Sequence, residues 1–365
     1  MHIGMIAPLE LRVPPIAYGG TELVVSLLTE ELVKSGHQVT LFASGDSVTS
    51  AKLVSSCPEF LRGKQKEKSI FNLCNVVACL EQATEFDIIH NHTVLEGLSM
   101  AGLTKTPVLT TLHGDLKNDW RDLFLHYKGW YNTISHSAKR LLPEKDRFAG
   151  VVYNSIDVKS YPYRDSPGEY LLFLARMSRE KGPHLAIEVA RRLNRRLILA
   201  GNIDIVDEQY FREQVLARVD GNLITYVGEA DYKMKRDLLS RAFCLLAPIT
   251  WEEPFGLFLI EAMACGTPVI IFNRGSAPEV VKNGETGYVV ETIEEMLRAV
   301  NDISQINRRL CREHVELNFD VPRMVKDYLR AYNVVLHQAV PENGDKLPAL
   351  TYCYQNPSEA DLYAP

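Results

Sequence analysis

Short apolar runs alternate along the chain with stretches whose apolar residues recur every three or four positions. Residues 3–7 form the first run and predict a buried strand. A proline-rich loop follows over 8–18. Gly19-Gly20 then opens a helical pattern with Leu23, Leu27, Leu28 and Leu32 on one stripe, which stops at Gly36. Residues 39–43 make the next strand. Strand, loop, helix and strand with short connections form the unit of a doubly wound parallel sheet. The alternation continues with strands expected over 87–90, 107–112, 132–135 and 151–153. It pauses over 158–169, which is rich in Pro, Tyr, Asp and Ser and carries no period. It then restarts, with strands expected over 170–175, 196–200, 224–227, 244–249 and 268–272. Helices are expected over 183–193, with Pro183 at the first turn, and over 322–337.

A length of 365 residues is more than one hydrophobic core usually organises, which agrees with a pattern that stops and restarts. The expected division is a first α/β domain over 1–160, a linker over 161–168, a second domain over 169–320, a final helix over 321–338 and an irregular tail over 339–365. Hydrophobic residues make up 46% and charged residues 24%, an ordinary globular mixture. The net charge of −6 speaks against a dedicated nucleic-acid binder, which carries a basic excess. Seven cysteines (Cys57, Cys74, Cys79, Cys244, Cys265, Cys311 and Cys353) stand at irregular spacings without a Cys-x-x-Cys pair. A disulfide framework or zinc site is therefore not expected, and a reducing, cytoplasmic setting is. The start of the chain shows no leader pattern, and no apolar stretch reaches membrane-spanning length. Peripheral contact with the inner face of a membrane stays open.

The sharpest chemical signal runs from Trp251 to Pro268. A helix beginning near Phe255 or Gly256 would aim free backbone N–H groups at whatever sits above the carboxyl end of the sheet. Glu253 lies just before that helix and Glu261 more than a turn inside it, so the two carboxylates reach different parts of one extended ligand. An isolated pair of glutamates would be a loop carboxylate and a helix-surface one; the glycines and apolar run around these two favour a ligand. The second signal is Arg176 and Lys181, five residues apart between a strand end and the helix start at Gly182-Pro183. Fixed cations of this kind can neutralise the charge that grows on a diphosphate leaving group. Arg179, between them, is expected at the surface. The first strand-to-helix turn, Tyr18-Gly19-Gly20-Thr21-Glu22, lets backbone approach a ligand but is not the Gly-x-Gly-x-x-Gly of a dinucleotide site. His113 lies in Thr111-Leu112-His113-Gly114-Asp115 after another strand. His90-Asn91-His92 has chelating spacing without an evident third ligand and reads as structural or pocket-lining. No Asp-x-Asp pair occurs to anchor a divalent metal. The aromatic stretch 119–130 reads as a buried amphipathic helix before it reads as a sugar-binding platform.

Glu253-x₇-Glu261 followed by Ala262-Met263-Ala264-Cys265-Gly266-Thr267-Pro268-Val269 resembles the signature of family 4 of the retaining GT-B glycosyltransferases. Ala175-Arg176-x₄-Lys181-Gly182 is similar to that family's Gly-Arg-x₄-Lys-Gly, with Ala175 in place of the glycine. Asn154-Ser155-Ile156-Asp157 resembles its Asn-Gly-Val-Asp turn, with Ser155 in place of the glycine. The turns at 275–279 and 284–287 also resemble family turns and are expected to be structural. The resemblance implies an α/β GT-B fold, two Rossmann-like domains facing each other across a cleft, with the acceptor on the first and the donor on the second. It implies a helix over 321–338 that crosses back to the first domain. It implies transfer of a hexose-type sugar from a UDP- or GDP-sugar to an acceptor hydroxyl with retention, without metal or other cofactor. In that reading Glu253 and the Phe255, Gly256 and Leu257 amides hold the donor sugar, Glu261 holds the ribose, and Arg176 and Lys181 hold the diphosphate. Gly19 and Gly20 sit near the donor phosphates and the acceptor, and His113 faces the sugar from the opposite domain. The partners implied are a nucleotide sugar and an unidentified acceptor: a glycan, a lipid-linked sugar or a small molecule. A nucleotide-sugar binding module and an epimerase on the same fold are the alternatives.

Overall fold

The computed structural model describes residues 1–338 except 18, 64, 94, 115–117, 128 and 144–145, and omits the side chains of 65–69, 95 and 118–121. The tail over 339–365, Cys353, Tyr18, Asp115 and the side chains of Trp120 and Arg121 thus lie outside the described residues.

Strands apolar on both faces need helices on both sides, and two parallel sheets result. The first holds β1 (His2–Ile6), β2 (Gln38–Phe42), β3 (Lys52–Val54), β4 (Ile88–Asn91), β5 (Val108–Leu112), β6 (Trp130–Thr133) and β7 (Phe148–Val151), in the order β3-β2-β1-β4-β5-β6-β7. The second holds β8 (Tyr170–Leu174), β9 (Leu197–Ala200), β10 (Ile224–Tyr226), β11 (Ala242–Ala247), β12 (Val269–Phe272) and β13 (Gly287–Val290), in the order β10-β9-β8-β11-β12-β13. In each sheet the order reverses beside the first strand. β1 pairs with both β2 and β4, and β8 with both β9 and β11. Ligands of such sheets bind outside the carboxyl ends of the strands at that reversal.

Several boundaries differ from expectation. Trp130 and Tyr131 pair with Leu109 and Thr110, so β6 begins two residues early. β7 ends at Val151. The Val152 amide still donates to the Thr133 carbonyl at 2.9 Å, but Tyr153 turns away and donates from its hydroxyl to Glu279 Oε2 at 3.0 Å. The short edge strand β3 and strand β13, which follows the turn at Gly284, had no clear pattern of their own. Ser155 has no left-handed backbone; among described non-glycine residues only Arg147 and Asn194 do.

The chain passes between the sheets twice, side by side: the Ile156 amide donates to the Phe319 carbonyl at 3.1 Å and the Val158 amide to Asp320 Oδ1 at 3.2 Å. The helix Val321–Gln338 packs into the core of the first sheet, burying Val325, Tyr328, Tyr332 and Val335 beside Ile3, Met5 and Leu28. Residues 161–169 form no strand or helix, yet Tyr161 is buried in the second core and the Arg164 amide donates to the Cys265 carbonyl. Five of the described cysteines are buried and Cys74 is exposed. No helix among the described residues is long and apolar enough to cross a membrane.

Candidate functional site

The carboxyl ends of the two sheets enclose a cavity of about 420 Å³. All ten residues singled out as site candidates line it, five residues from one loop and its helix among them. Two helix N-termini meet across it. The helix Gly20–Lys34 comes from the first sheet; Gly19 before it has no room for a side chain, since a Cβ there would lie 2.6 Å from Leu11 Cδ1 and 2.8 Å from Pro15 Cβ. The helix Leu257–Ala264 comes from the second sheet and is capped by Gly256 in the left-handed conformation, φ 79°. A Cβ on Gly20 would stand 3.4 Å from Leu257 Cδ1, so the two helix starts are in van der Waals reach. Phe255 beneath them is buried among the rings of Tyr153 and Phe319.

Glu253 is held by its backbone. A turn over 273–276 closes on it: the Ser276 amide donates to the Glu253 carbonyl at 2.8 Å and the Ser276 hydroxyl to the Phe255 carbonyl at 2.9 Å. Gly275 (φ 59°) is required there, because a Cβ would fall 2.2 Å from the Glu253 carbonyl oxygen. Gly182 (φ 75°) plays the matching part for Lys181, with the Pro248 carbonyl oxygen 2.2 Å from where its Cβ would be. Lys181 Nζ consequently reaches Glu253 Oε2, which also accepts from Trp251 Nε1 at 3.1 Å. The ammonium lies 4.8 Å from the Trp251 ring centroid, a further attraction for a desolvated cation.

Glu261 repeats this plan deeper in the second half. Its Oε1 accepts from the Tyr161 hydroxyl at 2.8 Å and from Lys235 Nζ at 2.5 Å, and the residue is 3% exposed. In both carboxylates one oxygen is taken by a cation and a neutral donor, while Oε1 of Glu253 and Oε2 of Glu261 accept no hydrogen bond among the described residues. Arg176 is half-buried and bonds Asp204 Oδ2 at 2.9 Å and Glu180 Oε1. Arg179 is exposed.

From the first half, His113 borders the cavity, and its Nε2 lies 2.8 Å from His92 Nδ1. Burial holds the His113 ring at about 4 and the His92 ring well below the ordinary range, so both are neutral near pH 7. His90 is buried beneath them. Thr111 Oγ1 donates to Asn132 Oδ1 at 2.7 Å and so accepts from His90 Nε2–H at 2.7 Å, which leaves His90 Nδ1 to accept from the Tyr332 hydroxyl at 2.7 Å. His90 and His92 therefore brace the cavity wall without lining it. Among the described residues no group of three His, Cys, Asp or Glu side chains is placed to hold a metal ion. In the stretch 119–130 the helix ends at His126 and buries Phe124; Tyr127 and Trp130 are buried beyond its end, Trp130 as the first residue of β6.

Local pattern missed the residues that tune the charged groups. Tyr161 lies in an aperiodic segment, Lys235 on an ordinary amphipathic helix, and Asp204 among exposed apolar neighbours. Only the fold brings them to Glu261 and Arg176.

A family model described as glycosyl transferases group 1 matches residues 162–316, and one described as glycosyltransferase family 4 matches residues 18–161. The N-acetyl-alpha-D-glucosaminyl L-malate synthase of Bacillus anthracis is 24% identical over 376 residues, covering 87% of this chain and 94% of that one. Among solved structures, sucrose-phosphate synthase from Thermosynechococcus elongatus superposes with a TM-score of 0.76 at 19% identity, covering 92% of this chain and 99% of its own. HepE from Anabaena, in complex with UDP and glucose, superposes with a TM-score of 0.70 at 18% identity, covering 91% and 99%.

Proposed function

The chain belongs to the family 4 type of glycosyltransferase, with the group 1 match on its second half and the family 4 match on its first, and on that premise we propose that it moves a hexose from a UDP- or GDP-sugar to an acceptor hydroxyl, with retention and without a metal. The observation that carries this reading is the pairing in the cavity wall: Lys181 with Glu253, and Lys235 with Glu261, each leaving one carboxylate oxygen open to a hydroxyl. Carboxylates accept from sugar and ribose hydroxyls, two at a time when the geometry allows. Arg176 and Lys181 supply fixed positive charge for a diphosphate, which on binding would compete with Asp204, Glu180 and Glu253 for them. The start of the helix Leu257–Ala264 adds free N–H groups on the same side. HepE was solved with UDP and glucose on a fold of this kind, which supports a nucleotide-sugar donor.

In the proposed reaction the bond from the anomeric carbon to the diphosphate oxygen breaks, and its electron pair stays on the diphosphate. Arg176 and Lys181 stabilise that charge as it grows, so the protein needs no metal for the task. The acceptor hydroxyl attacks the face the diphosphate leaves, and the configuration is kept. Neutral His113 offers the sugar a hydrogen bond without adding charge. Residues 1–160 hold the acceptor, 169–320 the donor, and the paired crossings at 156–158 and 319–321 serve as the hinge. The same reading puts the enzyme in the cytoplasm; the acceptor stays open among glycan, lipid-linked sugar and small molecule.

The test is a thermal-shift screen of nucleotide sugars, followed by nucleotide release from the sugar that binds. Turnover that persists in excess EDTA, with an α-linked donor giving an α-linked product, is the expected result. Complete loss in EDTA restored by Mg²⁺, or inversion at the anomeric carbon, refutes the mechanism. Binding without turnover would make the chain a nucleotide-sugar binding module.

A further inference from the structure

Glu279 stands on the short helix Ala277–Val280 of the second half, and its carboxylate reaches into the first. Its Oε1 accepts from the Ser137 amide at 2.6 Å. Its Oε2 accepts from the His136 amide at 2.8 Å and from the Tyr153 hydroxyl at 3.0 Å. The two amides open the helix His136–Arg140, and the first amides of a helix have no partner within it. Ser135 takes the next two, its hydroxyl accepting from the Ala138 amide at 2.9 Å and its carbonyl from the Lys139 amide at 3.2 Å. The start of this first-half helix is thus completed by a side chain of the other half. Burial and the neighbouring carboxylate raise the Tyr153 hydroxyl above the ordinary tyrosine range, which keeps it a donor.

Both ends of this clasp lead to the cavity. On the second-half side, the Glu279 amide donates to the Ser276 carbonyl at 2.9 Å, and Ser276 is the residue whose amide and hydroxyl hold the Glu253 and Phe255 carbonyls. The Tyr153 ring lies 6.0 Å from the Phe255 ring. On the first-half side, Leu112 pairs with Thr133, so the residues that follow them, His113 and Ile134, leave the sheet side by side. Both line the cavity. Ile134 is 2% exposed and packs in the core of the second half. Glu279 therefore joins the loop that carries Glu253 to the strand end beside His113.

We propose that Glu279 is a positioning residue for the transfer: it fixes the spacing of the two cavity walls, so that Glu253 and the amides of 255–257 meet one side of the donor sugar while His113 meets the other. The proposal rests on the glycosyltransferase reading above. Glu279 does not itself line the cavity, and it acts through Ser276 on one side and through residues 134–137 on the other. A carboxylate suits the task, because its two oxygens take three donors at once and helix-start amides favour negative charge. The turn at 275–279, expected from its sequence to be structural, thus ends in a residue that sets the geometry of the site.

The experiment compares wild type with Glu279→Gln, which loses the charge and one acceptor oxygen, and with Glu279→Ala, which loses the clasp. Affinity for free UDP is measured by calorimetry, and kcat by UDP release from saturating UDP-glucose. The groups proposed to hold the nucleotide all belong to the second half, so UDP affinity should stay near the wild-type value. The kcat should fall about tenfold in Glu279→Gln and about a hundredfold in Glu279→Ala, the order set by a misplacement of about 1 Å. Variants that turn over like wild type at equal native concentration, even with a lower melting temperature, overturn the proposal and leave Glu279 a structural contact. Loss of UDP affinity in step with kcat overturns it too, because the damage then lies within the second half. Where Glu279→Ala fails to fold, Glu279→Gln carries the test, since its amide oxygen can still accept from Ser137. Amide hydrogen exchange gives a readout without activity. Glu279→Gln should speed exchange over both 134–138 and 253–257, and acceleration over 134–138 alone overturns the link to the sugar loop. Failure of the donor reading shows differently, as wild type that binds no UDP and splits no nucleotide sugar while the exchange result stands.

Discussion

Replacing Lys181 by methionine strands a buried charge, and the structure sets the size of the effect. The Lys181 and Glu253 side chains are each 9% exposed, and Glu253 Oε2 would keep only the Trp251 indole N–H at 3.1 Å. Removing one partner of a buried pair costs about 3–5 kcal/mol, mostly the desolvation of the charge left behind. The indole bond and the backbone hold on Glu253 keep the carboxylate from escaping to water, so the lower end, about 3 kcal/mol, is expected. At about 2–4 °C per kcal/mol for a unit of 150–250 residues, the melting temperature should fall by roughly 6–12 °C. Adding Glu253→Gln removes the stranded charge while the amide oxygen still accepts from Trp251. The double variant should therefore recover about 2 kcal/mol of that loss, a coupling within the range of contacting charged residues. Differential scanning calorimetry of wild type, both single variants and the double variant closes the cycle. Raising the salt concentration should change the coupling little, because buried pairs are weakly screened. A loss below about 1 kcal/mol in Lys181→Met, or a double variant equal to the sum of the singles, would show that water already solvates the pair and that the argument from burial is wrong.

Three further outcomes are expected. Arg176→Ala should lower kcat about a hundredfold while donor affinity changes less, since leaving-group charge peaks in the transition state; normal turnover in this variant would place the diphosphate elsewhere. Glu261→Gln should weaken free UDP by about ten- to a hundredfold, one charged hydrogen bond, whereas Glu253→Gln should leave UDP near normal and slow turnover; calorimetry that finds the reverse exchanges their roles. Relative to wild type, Glu22→Gln, in the first turn of the helix Gly20–Lys34, should gain stability with rising pH. The folded carboxyl binds its proton at about 7 and the unfolded one near 4.5, so wild type loses stability as pH rises between those values. At about 1.4 kcal/mol per pH unit the difference reaches about 3 kcal/mol by pH 8 and vanishes below pH 4.5, and flat thermal melts of the variant pair across pH 4.5–8 would contradict it.

How much of this was legible in the chain itself depends on range. Apolar runs such as Leu171–Leu174 and Val269–Phe272, the second opened by Pro268, are buried on both faces, so parallel strands and their order of appearance could be read directly. The chemistry of Glu253, Glu261, Arg176 and Lys181 was equally visible, because the helix starts that present them are encoded within a few residues. Edge strand β3 and strand β13 were not, since a three-residue edge and a strand hidden behind a turn carry too little period to register. What only the tertiary structure decided is which charges meet. Lys181 reaches Glu253 across 72 residues, Tyr161 and Lys235 reach Glu261 across 100 and 26, and Tyr332 reaches His90 across 242. Whether Glu22 is a surface acid or a buried one likewise depends on the loop at Leu11 and the helix start at Leu257, both distant in the chain. Local sequence determines backbone conformation through sterics and periodicity that act over a few residues; the charge state of a side chain depends on what displaces its water, and that is settled by parts of the chain that meet only once it has folded.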